Sequence, residues 1–164
     1  MNEVVNGLSG PVAPPLAVLP SGTANVLAKE LKLPRDPEGL ARVILEGPEV
    51  RWDLGIDWLS SRKLLLFSSV GYDAHLVLLF DAARPRSFRV WNHAWANMGL
   101  YLVWALRSVQ AYSAPRIRVR LDGRSVADDA TWILISNVAS YGGPFVFTLR
   151  ARPDDGVFEV MVQR

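Results

Sequence analysis

The chain has 164 residues, 50% hydrophobic and 21% charged, a composition that supports a packed fold and excludes disorder as the main state. Eighteen basic against sixteen acidic residues leave a net charge of +2, and the fifteen arginines are spread from Arg35 to Arg164, which excludes a nucleic-acid-binding tail. With no cysteine, disulfides, thiol nucleophiles and thiolate metal sites are excluded as well.

Residues 1–7 carry no basic start, apolar run or small-residue cleavage site, so the reading is of a chain without a signal peptide, soluble and cytoplasmic. Leu16 to Leu19, bounded by Pro14-Pro15 and Pro20, predicts a buried strand, and Ser21-Gly22 predicts a tight turn. Ala24, Leu27, Ala28 and Leu31 then fall on one face of a helix expected to begin near Thr23. Asp36-Pro37-Glu38 has the form of an N-cap followed by proline at the first helical position. Leu40, Val43 and Ile44 provide the expected buried stripe, and Gly47-Pro48 ends the helix.

After Gly47 the hydrophobic period changes to two. Val50, Trp52 and Leu54 alternate with Arg51 and Asp53, as Ile117, Val119 and Leu121 do with Arg116, Arg118 and Arg120, so both stretches predict strands with one wet face. The apolar stretch 64–80 is broken by Ser68, Ser69, Asp73 and His75 and is not a membrane span. Trp91, Trp95, Met98, Leu102, Ala105, Leu106 and Val109 follow helical spacing within residues 91–110. Asp122-Gly123 predicts a two-residue hairpin turn, and Trp132 to Ile135, Phe145 to Phe147 and Val157 to Val162 are further strands, with Gly142-Gly143 between them. The fold class is therefore an α/β N-terminal portion followed by a mainly antiparallel β-sandwich with a helical insertion, divided into residues 1–50 and 51–164.

Two segments suit chemistry. In Pro20-Ser21-Gly22-Thr23-Ala24-Asn25, a glycine turn leading into a helix start suits a phosphate, while the plain alternative is that Ser21 or Thr23 caps the helix. Asp154-Asp155-Gly156 offers adjacent carboxylates for a hard cation, against the alternative of a turn. His75 and His93 share no catalytic spacing and read as packing or surface residues, and Trp91 and Trp95 read as core or as a lipid-facing stripe.

Five ordered blocks carry a wider likeness: Asn2-Glu3-Val4-Val5-Asn6-Gly7-Leu8, Pro15-Leu16-Ala17-Val18-Leu19-Pro20-Ser21-Gly22-Thr23-Ala24-Asn25, Asp53-Leu54-Gly55, Gly71-Tyr72-Asp73-Ala74 and Asp154-Asp155-Gly156. In this order they resemble the bacterial lipid kinases of the diacylglycerol kinase and sphingosine kinase family. The resemblance implies ATP-dependent phosphoryl transfer to a lipid hydroxyl, with ATP and Mg²⁺ as cofactors, by a protein about twice this length. It implies that the glycine-rich start of the nucleotide block precedes Asn2 and that the general-base glutamate lies beyond Arg164. No catalytic residue is then expected within the chain, and the 164 residues alone are expected to be inactive. The alternative from another class is a non-catalytic lipid- or nucleotide-binding module.

By the same resemblance, Asn2, Glu3, Gly22 and Thr23 face the nucleotide. Asp155 holds Mg²⁺ with the backbone carbonyls of Arg152 and Val157, and Asp53 reaches that metal through water. Val26 and Leu149-Arg150-Ala151 depart from the pattern, the first where many members carry aspartate. The implied partner is a lipid substrate met peripherally at the membrane surface, with no nucleic acid and no transmembrane segment. A homo-oligomer is neither required nor excluded.

Overall fold

A computed structural model describes residues 1–8, 14–22, 24–83, 103, 108, 112–142 and 145–164. Thr23, His93, Gly143 and, except for Val103 and Ser108, the helix expected over 91–110 lie outside the described residues.

In chain order the elements are α1 (Asn2–Gly7), α2 (Val26–Glu30), α3 (Pro37–Glu46), β1 (Gly55–Ile56), β2 (Lys63–Leu64), β3 (Phe67–Gly71), α4 (Tyr72–Ala83), β4 (Ile117–Leu121), β5 (Arg124–Ala130), β6 (Trp132–Ser136), β7 (Ser140–Gly142), β8 (Phe145–Val146) and β9 (Glu159–Gln163). Strands β1 and β2, β4 and β5, and β7 and β8 form antiparallel pairs, and β3, β6 and β9 form a sheet in that order. Among the described residues the regular elements of the first fifty are helices and those that follow are mainly antiparallel strands, which is the expected fold class. Two compact units are present, residues 1–68 with 135–161 and residues 69–134 with 162–164.

In the first unit, Val5, Leu27 and Leu65 form a buried cluster against which Val18, Leu31, Trp52 and Leu66 pack. Each fully buried aliphatic side chain of this kind contributes about 1.5–3 kcal/mol. Helix α1 is tied to β2 by polar groups. The Asn6 amide accepts from Lys63 N–H at 2.7 Å and donates to Lys63 C=O at 2.8 Å, imitating a strand neighbour. Lys63 Nζ donates to the carbonyls of Val5 and Leu8, at 3.4 and 3.0 Å, where the helix end leaves acceptors open.

Helix α3 begins as its sequence predicts, with the Asp36 carboxylate accepting from Gly39 N–H at 2.7 Å and proline in the first turn. Its apolar stripe is not buried: Val43 and Ile44 are 40% and 50% exposed, and with Leu16 and Leu40 they line an open groove of about 750 Å³. Residues 16–19 pair with no strand among the described residues, so the apolar run is present without the ladder that would make it a strand. Residues 50–54 likewise belong to no strand ladder among the described residues, and the regular ladder starts at Gly55. The helix expected near Thr23 starts at Val26, because Asn25 takes a left-handed backbone (φ 48°, ψ 44°) that interrupts helical geometry.

In the second unit, Leu121 pairs with Arg124 across Asp122-Gly123, whose φ values of 49° and 79° fit the favoured two-residue hairpin turn. Val119, Ala127 and Ala130 are buried while Arg118 and Arg120 point outward, which realises the alternation. Leu76, Ile133 and Leu134 are also buried in this unit. Helix α4 follows β3 directly through Gly71, and Ser69 Oγ donates to the buried Asp73 carboxylate at 2.6 Å in its first turn. The His75 ring lies 5.0 Å from that of Tyr112, a packing role.

Candidate metal and nucleotide site

The loop over residues 152–157 is gripped by one residue. Asp53 N–H donates to Pro153 C=O at 2.6 Å, and Asp53 Oδ2 accepts from Gly156 N–H at 2.6 Å. The loop closes on itself where Asp155 Oδ1 accepts from Val157 N–H at 3.1 Å. That closure needs the left-handed backbone of Gly156, φ 74°, which glycine adopts without a side-chain penalty.

The two neighbouring carboxylates have different partners. Asp154 Oδ1 lies 3.6 Å from Arg152 Nε, an exposed ion pair, whereas Asp155 Oδ1 accepts from Val157 N–H. Among the described residues no cluster of three or more His, Cys, Asp or Glu side chains is placed to hold a metal. A cation here would rely on Asp155, backbone carbonyls such as those of Arg152 and Val157, and water. An all-oxygen set with one carboxylate fits Mg²⁺, which retains waters, better than a softer transition metal. Asp53 bonds the loop backbone directly, through Gly156 N–H.

Behind Asp53 stands a buried residue that the sequence reading missed. Asn137 is fully buried; its Nδ2 donates to Asp53 C=O at 2.9 Å and Leu65 C=O at 3.2 Å, and its N–H donates to Leu66 C=O at 2.7 Å. Trp52 Nε1 also donates to Leu65 C=O, at 3.2 Å. The signal was an asparagine following the apolar strand Trp132–Ser136, a polar group that must find partners when buried.

The described nucleotide candidates, Asn2, Glu3 and Gly22, each make contacts of their own. Asn2 Oδ1 accepts from Leu65 N–H at 3.1 Å, and Asn2 C=O accepts from Asn6 Nδ2 at 2.7 Å, so Asn2 helps to hold α1. The Glu3 side chain is exposed; its own N–H and the Met1 amino group, 3.4 Å away, hold its carboxyl below the usual carboxylate range. Gly22 N–H, expected to face a phosphate, donates to Asn25 Oδ1 at 2.8 Å, while Asn25 Nδ2 donates to Pro20 C=O at 3.1 Å. The Asn25 side chain thus closes the turn. None of Asn2, Glu3, Gly22, Asp53 or Asp155 lines the 750 Å³ groove.

Residues 1–56 match the family model of the diacylglycerol kinase catalytic domain, and residues 69–164 match that of the YegS C-terminal NAD kinase beta sandwich-like domain. A Chromohalobacter salexigens protein named as a probable lipid kinase YegS-like is 29% identical over all of this chain and 50% of its own length. A Staphylococcus carnosus diacylglycerol kinase is 28% identical over 99% of this chain and 50% of its own length. The chain spans about half the length of the curated relatives it matches. A solved structure named as a diacylglycerol kinase from Bacillus anthracis superposes with a TM-score of 0.54 at 19% identity, over 87% of this chain and 42% of that one, a likeness of fold.

Proposed function

Because the chain belongs to the bacterial lipid-kinase family of the diacylglycerol kinase catalytic domain and the YegS C-terminal domain, we propose that it forms part of an enzyme transferring the γ-phosphate of ATP to a lipid hydroxyl. The observation that carries the site reading is the grip of Asp53 on the loop 152–157, which joins two of the family's sequence blocks in one constellation. Asp155, with the carbonyls of Arg152 and Val157, would hold Mg²⁺. When bound, that ion supplies positive charge that fixes the loop. Asn2, Glu3, Gly22 and Thr23 are the nucleotide-facing residues of the proposal, and a boundary near residue 50 separates its nucleotide and lipid portions.

In-line phosphoryl transfer depends mostly on positioning and charge neutralisation. Here the Gly22 N–H bond to Asn25 and the Asn2 bond to Leu65 would have to yield or be supplemented for those groups to reach a phosphate. No base for the lipid hydroxyl is assigned within the 164 residues. The proposal is therefore that this chain alone does not turn over. Enzyme and substrate meet at the membrane surface, approached from the cytoplasm; no helix among the described residues is long and apolar enough to cross a membrane.

The test is transfer of label from γ-labelled ATP to a panel of diacylglycerol, sphingoid base, phosphatidylglycerol and polyprenol, using a protein of the relatives' full length. Mg²⁺-dependent labelling of one lipid is expected, with none by the 164-residue chain. A full-length protein that labels no lipid yet binds lipid or nucleotide would make the chain part of a non-catalytic binding module.

A further inference from the structure

Asn137 stands where two runs of hydrogen bonds meet, both within the first unit. One passes through Leu65: its C=O accepts from Asn137 Nδ2 at 3.2 Å, while its N–H donates at 3.1 Å to Oδ1 of Asn2, the first residue of α1. The other passes through Asp53: its C=O accepts from the same Nδ2 at 2.9 Å, while its N–H and carboxylate hold Pro153 and Gly156 of the Asp155 loop. One amide nitrogen therefore ties the residue that holds Asn2 to the residue that holds the loop.

The amide can face only one way. Its oxygen, turned toward Asp53 and Leu65, would set acceptor against acceptor, so the two carbonyls dictate that Nδ2 points at them. Oδ1 is then left buried with no donor among the described residues, which lowers stability. Leu65 C=O already accepts from Trp52 Nε1 at 3.2 Å, so the Asn137 bond is not needed to satisfy it. What that bond adds is a connection to Asp53. An apolar side chain of similar volume would avoid the buried acceptor but would carry no donor for either carbonyl. A residue kept against a local packing rule marks a place where the fold serves a site.

We propose that Asn137 is a positioning residue that couples the two parts of the site, so that a change at Asn2 is felt at Gly156, and the reverse, through its side-chain amide. It acts only through Leu65 and Asp53. The assignment of the two ends to nucleotide and Mg²⁺ rests on the kinase reading above, whereas the coupling itself does not. Coupling free energies are reciprocal, so an ion that orders the loop 152–157 also steadies Leu65 N–H and, with it, Asn2. Metal and nucleotide then favour each other's binding without a shared ligand.

The experiment is amide hydrogen exchange on the 164-residue chain without nucleotide, read at Leu65 and Gly156. Asn2→Ala, at the far end of the network, is expected to speed exchange at Gly156 about three- to tenfold in the wild-type chain but not in the Asn137→Leu background. Mg²⁺ alone is expected to slow exchange at both amides in the wild-type chain, and at Gly156 only in Asn137→Leu. Val119→Ala, a buried truncation in the second unit, controls for lost stability and as a background should keep both responses. Where circular dichroism shows that Asn137→Leu does not fold, Asn137→Ser, with one hydroxyl donor for two carbonyls, takes its place. An Asn2→Ala substitution without effect at Gly156, or with the same effect in both backgrounds, would overturn the proposal. So would Mg²⁺ that slows both amides alike in the Asn137 variant. An Asn137-dependent response to Asn2→Ala, with no response to Mg²⁺ at either amide, would support the coupling and refute the metal reading. The same response in a chain whose full-length form labels no lipid would support the coupling and refute the kinase reading.

Discussion

Asp53 and Gly156, 103 positions apart in the chain, are joined by a 2.6 Å hydrogen bond from the glycine N–H to the aspartate carboxylate. With the return bond from Asp53 N–H to Pro153 C=O, also 2.6 Å, it fixes where the Asp155 loop sits on its unit. Asp53→Ala removes the charged acceptor and is expected to destabilise by about 1–3 kcal/mol. Hydrogen exchange at Gly156 checks the cause: it should accelerate in the variant more than exchange at Leu27 or Leu65. Unchanged exchange at Gly156 would contradict the grip.

Asn137 gives a sharper chemical test. Its Nδ2 faces two carbonyls, so Asn137→Asp sets a carboxylate oxygen against two acceptors with almost no change in volume. An uncompensated buried charge costs several kcal/mol. Asn137→Leu, which leaves Asp53 C=O without its amide donor, should cost about 1–3 kcal/mol. Urea unfolding of both variants should rank the isosteric substitution as the more damaging one at neutral pH.

Gly71 connects β3 to α4 with φ 108°, and a Cβ built there would lie 2.2 Å from Thr131 C=O. Both the backbone angle and the overlap oppose a side chain. Gly71→Ala is expected to lose about 2–4 kcal/mol, read as a lowered urea midpoint with an unchanged slope.

The turn carrying Trp58 predicts a pH dependence. The Ser60 hydroxyl, aided by Leu59 N–H, holds the Asp57 carboxyl below its ordinary range. A depressed folded-state pKa contributes stability that is present above the unfolded pKa and is lost as pH falls through the folded value. Protection of the amides of Leu59 and Arg62 should therefore drop below the usual carboxylate range, and Asp57→Asn should remove that dependence. An acid profile unchanged by the substitution would contradict the assignment.

The parts legible in the sequence are those settled by near neighbours. Asp36-Pro37 starts a helix and Asp122-Gly123 turns a hairpin because the side chain or backbone preference acts within three residues. Residues 16–19 and the α3 stripe read as buried because their composition is apolar, yet a strand requires a partner and a stripe requires a covering surface. The run 64–80 hid a change from strand to helix at Gly71, since both halves are apolar and only the backbone angle marks the switch. Asn6 and Asn137 were missed because their partners, Lys63 and Asp53, stand 57 and 84 positions away. For the candidate site, Asp155 was legible as one of two adjacent carboxylates before a glycine and Asp53 through the likeness of the ordered blocks, whereas the contact of Asp53 with Gly156, 103 positions away, was not.

The most direct measurement of the central claim compares the two neighbouring aspartates in a protein of the relatives' full length. Asp155→Asn and Asp154→Asn each remove one carboxylate charge from the same exposed loop, but only Asp154 is paired with Arg152. Lipid phosphorylation measured against Mg²⁺ concentration should show a Mg²⁺ requirement raised about ten- to hundredfold by Asp155→Asn, with Asp154→Asn close to the wild-type curve. Coincident curves for wild-type and both variants would contradict the claim and leave Asp154-Asp155-Gly156 as a turn before the last strand.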